Sequence, residues 1–278
     1  MRRCLAGLCV VFVSACGGGG SATDSTAIAV SAIQPDRLRY SQLSVFKLTG
    51  ANLDRGVTVS VSKCKGLALV ASGTAVEQSV SCTVLGTGDL IFETKDSTGT
   101  VLLSKTFTVP EPQVTLTTSM GTIVIELNPT VVSATVLNYL QYVNDSFYTN
   151  TLFRRVVAST AFSVVQGGWL TTVPAVQAGL RSAISLESNK GLSNLRGTVG
   201  MARSAAADSA TSQFYFNVAD NPGFDYVNAS NPGYAVFGKV VQGLAVMDAM
   251  GALPTTTRYG VPDFPVTDVV LLSATQTQ

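Results

Sequence analysis

Along this chain short runs of alternating apolar and polar residues recur between turn residues, and one stretch repeats at a longer period. "VTVSVS" (57–62) and "FTV" (107–109) show the strict alternation of half-buried strands, and turn residues bound such runs. Between residues 28 and 110 the runs "AIAVSAI", "QPDRLRY", "SVFKLTG", "VTVSVSK", "SVSCTVLG", "DLIFETKD" and "LLSKTFTV" predict about seven short strands. "VPEPQ" (109–113) then makes a stiff two-proline joint, which marks a boundary between two units. Beyond it "VTLTTSMGTIVIELNP" predicts a hairpin turning at Met120-Gly121. "TVLNYLQYVND" carries Val136, Leu140 and Val143 at helical spacing. "LFRRVVASTAFSVVQGGW" (152–169) is strand-like but sets Arg154 and Arg155 side by side among valines. Alternation would send two neighbouring side chains to opposite faces, so the arginines are expected to do different work.

Composition sharpens this picture. In 278 residues the apolar share is 46% and the charged share only 13%, against a usual ~25%. That balance suits a well-packed, mainly β protein and excludes a disordered one. The net charge is +1 with no basic cluster, so nucleic acid is not an expected partner. The sequence contains no histidine, which excludes every mechanism built on an imidazole base or a histidine-ligated metal. No cofactor is called for.

The N-terminus reads as an address. "MRRCLAGLCVVFVSAC" has a basic start and an apolar run far shorter than the ~20 residues of a membrane span, so residues 1–15 are expected to be an export signal. "VSAC" resembles the lipobox of bacterial lipoproteins. That resemblance implies acylation of Cys16, with residues 16–27 ("CGGGGSATDST…") as a flexible tether and a periplasm-facing location on the outer membrane. Plain cleavage beside Ala15 with an incidental cysteine is the alternative. After processing only Cys64 and Cys82 remain, and an even pair in an exported chain is expected to be a disulfide.

Seven strands at this spacing predict an immunoglobulin-like β-sandwich over residues 28–110. "IQPDRL…FKLTGANLDRGVTVSVSKC" resembles the IPT/TIG type of such domains. No catalytic constellation lies there, so a spacer or binding module is expected. The second unit, residues 111–278, is more specific. "RGT", "MAR", "DSATSQF", "NVADN" and "GYAVFGKVV" occur in one order and resemble the cyclophilins, closest to their bacterial periplasmic branch. The resemblance runs from about Gln113 to Ala274. It implies an eight-stranded barrel capped by two helices, a monomer, and peptidyl-prolyl cis-trans isomerase activity on proline-containing polypeptides.

Site residues follow from the same resemblance, motif by motif. "FRRV" stands where the family has Phe-His-Arg-Val, so Arg155 takes the catalytic role and Arg154 the preceding histidine position. Gln166 is implied as the second catalytic residue, bonding the substrate backbone. Phe162, Val164 and Tyr215 are implied as walls of the proline pocket, with Ala202 and Gln213 lining the adjoining groove. The loop over 158–161 is three residues longer than the family's, and Phe162 lies one residue further from Gln166. The expected far-wall aromatic falls on Gly223, leaving Phe224 nearest, and a groove histidine falls on Tyr234. An active isomerase anchored by lipid and assisting exported proteins is expected. The alternative is a scaffold lipoprotein that grips proline segments with little turnover.

Overall fold

The computed structural model describes residues 26–70, 73–173 and 175–278. The expected signal, Cys16 and the tether as far as residue 25 lie outside the described residues.

The first unit has seven strands: β1 (Ala29–Pro35), β2 (Leu43–Ala51), β3 (Thr58–Val61), β4 (Cys64–Leu69), β5 (Glu77–Val84), β6 (Gly88–Lys95) and β7 (Val101–Val109). They form a four-stranded sheet, β1-β2-β5-β4, and a three-stranded sheet, β3-β6-β7. Alternation along β2, β5 and β6 sends Phe46, Leu48, Val80, Cys82, Leu90 and Phe92 into one shared apolar core. Cys64 and Cys82, on neighbouring strands, are joined with a Cα–Cα distance of 5.6 Å.

One expected strand is absent. Of "QPDRLRY", Gln34 and Pro35 end β1 opposite Lys47 and Phe46, and residues 36–40 are a connection in which the Asp36 carboxylate accepts the backbone N–H groups of Arg37 (2.7 Å) and Val45 (2.8 Å). The seventh strand is instead β4, whose residues are mostly exposed and show no alternation. The connection reaches the second unit: Tyr40 is buried in that unit's core, and its carbonyl accepts from Gln276 Nε2 at 3.0 Å.

The second unit begins with the hairpin β8 (Gln113–Thr118) and β9 (Gly121–Leu127), followed by α1 (Ser133–Asn144). Then come β10 (Thr151–Ala158), β11 (Ser163–Thr171), β12 (Thr198–Met201), β13 (Phe214–Asn217) and β14 (Val236–Gln242). After α2 (Leu244–Gly251), a small hairpin, β15 (Thr255–Arg258) and β16 (Val261–Pro265), precedes β17 (Val270–Gln276). Eight of these strands close a barrel in the order β10-β11-β13-β12-β14-β9-β8-β17. Its core includes Ile123, Ile125, Phe153, Val165, Phe214, Phe216 and Phe237. Tyr139, Leu140 and Val143 of α1 and Met247 and Met250 of α2 seal it. α1 supplies no side-chain cap of its own. Glu187 Oε2 accepts both the backbone N–H and the hydroxyl of Thr135 at 2.8 Å, placing a carboxylate at the positive end of the helix.

Candidate active site

Four neighbouring strands put one row of residues in register across the barrel wall. Arg155 on β10 pairs with Gln166 on β11, Gln166 with Tyr215 on β13, and Tyr215 with Gly200 on β12. One step along, Val156, Val165, Phe216 and Val199 form the adjacent row, all buried in the barrel core. Because the pleat alternates faces, the buried apolar row obliges the first row to point outward. This is how the sequence aims a guanidinium and a carboxamide at one patch of surface.

The two arginines do not lie on opposite faces, contrary to simple alternation. β10 advances two residues, Phe153 to Arg155, while β11 advances one, Gly167 to Gln166, so Arg154 is the extra residue of a β-bulge. The bulge keeps Phe153 in the core and leaves both arginines lining the same cavity, of about 320 Å³. Their partners differ. Arg154 Nη2 donates to Gln213 Oε1 (2.8 Å), and its guanidinium lies over the Trp169 ring (5.1 Å). Arg155 Nε donates to Asp263 Oδ2 (3.4 Å), and its guanidinium stands 5.7 Å from the Phe162 ring. Burial, and secondarily the neighbouring Arg155 charge, pull the Arg154 guanidinium below its usual range.

Gln213 connects the row to its neighbour: its Oε1 also accepts from Gln166 Nε2 at 3.0 Å. Its backbone carbonyl receives the Ala202 N–H at 2.9 Å, and Ala202 lines the cavity. Val164, Tyr215, Phe224 and Tyr234 also line it. Their rings form a cluster: Phe224 is 5.2 Å from Phe162, 5.8 Å from Tyr215 and 5.1 Å from Tyr234. Phe162 therefore reaches the aromatic wall despite its longer loop. A side chain at Gly223 would meet nothing within 4 Å, and the wall is supplied by Phe224 instead. The structure thus brings together every residue assigned to the site by resemblance.

Two glycines make the row possible. A Cβ on Gly200 would lie 2.2 Å from Tyr215 Cζ, so only glycine lets that ring lie flat over β12. Gly168 has φ +88°, and a Cβ there would meet the Ser212 carbonyl at 2.9 Å. Tyr215 is fixed from below, where its buried hydroxyl donates to Asn194 Oδ1 at 2.7 Å. Burial, with help from Tyr234 and Asp225, pushes that hydroxyl well above its ordinary pKa, so it stays neutral. A hydrogen-bonded chain continues beneath the wall, from Asn194 to Asn217 (3.2 Å) and Asn221 (2.7 Å), and on to the Ser163 backbone at the start of β11.

One contributor has no signature in the sequence. The β15-β16 hairpin lies against β10, and its Val261 and Pro262 form a cavity wall. Asp263 beside them has φ +59°, a left-handed conformation that Asp tolerates better than most residues. This twist carries its carboxylate to Arg155. Asp263→Asn keeps the backbone preference and removes the charge. It should lower kcat about two- to fivefold with little change in KM, the scale of a half-exposed ion pair. Steady-state kinetics on a prolyl peptide would check this, and an unchanged kcat would show that Arg155 is held without Asp263.

A larger cavity, about 450 Å³, lies near the joint between the units and is lined by Glu111, Glu126 and Lys239. It contains no comparable row, and Lys239 is paired with Glu126 at 3.1 Å.

Comparison with known proteins finds a family match over this unit. Residues 113–276 match the family described as cyclophilin type peptidyl-prolyl cis-trans isomerase/CLD. A peptidyl-prolyl cis-trans isomerase of Acinetobacter baylyi is 40% identical over 171 residues, which cover 59% of this chain and 87% of that protein. Peptidyl-prolyl cis-trans isomerase B of Escherichia coli is 38% identical over 167 residues, covering 58% of this chain and 98% of that protein. Among solved structures, a Cryptosporidium parvum cyclophilin type peptidyl-prolyl cis-trans isomerase, crystallised in the presence of the dipeptide Ala-Pro, aligns with a TM-score of 0.48 at 19% identity. That alignment covers 60% of this chain and 99% of that one.

Proposed function

Because this chain belongs to the cyclophilin type peptidyl-prolyl cis-trans isomerase family through residues 113–276, we propose that it isomerises prolyl bonds of exported polypeptides while anchored in the bacterial envelope by a lipidated Cys16. The observation that carries the chemistry is the outward row Arg155–Gln166–Tyr215, set beside a cavity walled by aromatic rings. A prolyl amide is held planar by resonance, with a rotation barrier of about 18–20 kcal/mol. At the twisted transition state its nitrogen becomes pyramidal and gains a lone pair. A guanidinium N–H donated to that lone pair by Arg155 is worth much more there than against either planar ground state.

The other residues position the substrate. Phe162, Phe224, Val164 and Tyr215 hold the pyrrolidine ring, and Gln166 bonds the adjoining backbone. Ala202 and Gln213 form the groove on either side of the proline. Nothing in this scheme transfers a proton, which accords with a sequence free of histidine.

Export and anchoring are supported by the basic, apolar and small-residue succession of residues 1–15 and by "VSAC" before the glycine tether. Among the described residues no helix is long and apolar enough to cross a membrane, so an anchor from this part of the chain would have to be of another kind. The full-length protein, expressed in a bacterial host, should partition into detergent, and Cys16→Ser should move it to the aqueous phase. The wild type should also shorten the proline-limited refolding phase of a disulfide-bonded exported protein. A fully aqueous wild type would refute the anchor, and an unchanged refolding phase would refute the folding role.

A further inference from the structure

Two of the three arginines lining the cavity are distinguished by what they lack. Residues 113–278 hold eight lysines and arginines. Five of them pair with carboxylates: Arg155 with Asp263, Arg181 with Asp145, Arg196 with Asp248, Lys239 with Glu126 and Arg258 with Asp268. Arg154, Lys190 and Arg203 form no such pair among the described residues. Two of those three, Arg154 and Arg203, line the same cavity.

Both are held rather than loose. Arg203 lies over the Tyr234 ring (4.6 Å) and donates to the carbonyls of Gly233 (2.8 Å) and Ser204 (2.9 Å). Arg154 is fixed by Trp169 and Gln213, and its buried Nε finds no acceptor among the described residues. Asp225, whose charge is felt by the Tyr215 hydroxyl, does not line the cavity, and its Oδ1 accepts from the Asn194 backbone N–H (2.7 Å) and Nδ2 (2.9 Å). Three guanidinium groups thus face one cavity, and Asp263 answers only one of them. Guanidinium groups fixed by stacking and neutral acceptors keep their full charge available, at little ordering cost, for an incoming anion.

We propose that Arg154 and Arg203 make this site selective for prolines flanked by an acidic residue, the peptide carboxylate supplying the counter-charge that the protein leaves out. This deepens the isomerase reading and rests on it. A lysine at the same peptide position would meet unpaired like charge and be disfavoured.

The test uses the full chain and three end-capped peptides, Ala-Glu-Pro-Phe, Ala-Ala-Pro-Phe and Ala-Lys-Pro-Phe. Each catalysed exchange rate is measured by NMR and corrected for that peptide's own uncatalysed rate. In about 10 mM salt, kcat/KM should favour glutamate over lysine about tenfold, with alanine between them. In about 1 M salt, where the screening length falls from about 30 Å to about 3 Å, the ratio should drop toward twofold. R154Q and R203Q should each reduce the low-salt ratio, which is independent of the fraction of active enzyme. The wild-type ratio and its salt dependence decide the matter even if a variant does not fold. Good turnover of the alanine peptide with equal rates for glutamate and lysine overturns the selectivity alone. No turnover of any of the three overturns the isomerase reading and this proposal with it.

Discussion

Arg155→Ala should lose roughly 100- to 1,000-fold in kcat/KM on a proline tetrapeptide, about 2.7–4 kcal/mol of transition-state stabilisation, the usual cost of removing one preorganised donor. Arg154→Ala should stay within about tenfold on an uncharged peptide. Both side chains line one cavity, so the difference comes from aim rather than from face. Arg155 stands over Phe162 of the aromatic wall and is drawn to Asp263 across the cavity edge, so it overlooks the space where a pyrrolidine ring fits. Arg154 is drawn the other way, onto Trp169 and Gln213. The loss at Arg155 should appear in kcat and the loss at Arg154 in KM, since only the first interaction is made chiefly in the transition state. Thermal melts of both variants would confirm folding. Equal losses, or a larger loss at Arg154, would place the wrong arginine at the prolyl nitrogen.

The second large effect concerns stability. Replacing Cys64 and Cys82 together by alanine should cost the first unit roughly 3 kcal/mol, because the bridge closes an 18-residue separation and restricts the unfolded chain. Cys82 is fully buried between the two sheets and Cys64 packs against the same core, so alanine avoids leaving a polar group there. The melting transition assigned to residues 28–110 should fall, while prolyl turnover at 25 °C stays within twofold, since no residue of the cavity comes from that unit. Intact mass of the wild type without reductant should lack two hydrogens. Two thiols that alkylate readily without reductant would contradict the bridge, and an unchanged melt would contradict its energetic role.

What the sequence disclosed depends on whether the cause of each feature is local. Gln166 and Tyr215 were legible only through the motif resemblance, because burial in β11 and β13 does not alternate cleanly and gives no period-two signal for the inward row Val156, Val165, Phe216 and Val199. α1 was legible from Val136, Leu140 and Val143. The bulge at Arg154 was not, since nothing in "LFRRVV" requires an extra residue. It arises because Phe153 must stay in the core while β11 turns through Gly167 and Gly168. The aromatic at 224 serving the wall in place of 223 depends on a short 3-10 turn, Pro222–Phe224, whose phase is set by tertiary packing. The β15-β16 hairpin was hidden by Pro262 and Pro265 and by weak alternation, and Asp263 with it. In the first unit, β4 has no buried face to produce a pattern, and "QPDRLRY" ends β1 at Pro35 before Asp36 caps the connection that follows.

The central claim is that this cavity turns prolyl bonds over rather than merely holding them. Two-dimensional exchange NMR on an end-capped Ala-Ala-Pro-Phe peptide tests it directly, with the full chain present well below the peptide concentration. Uncatalysed cis and trans forms interchange over tens to hundreds of seconds and give no exchange peaks on the experiment's shorter timescale. With the wild type, cross-peaks between the cis and trans proline signals should appear and grow with enzyme concentration, and with Arg155→Ala they should nearly vanish. Peptide shifts that move on binding while cis and trans signals exchange no faster than without protein would contradict the account and leave a proline-binding module in its place.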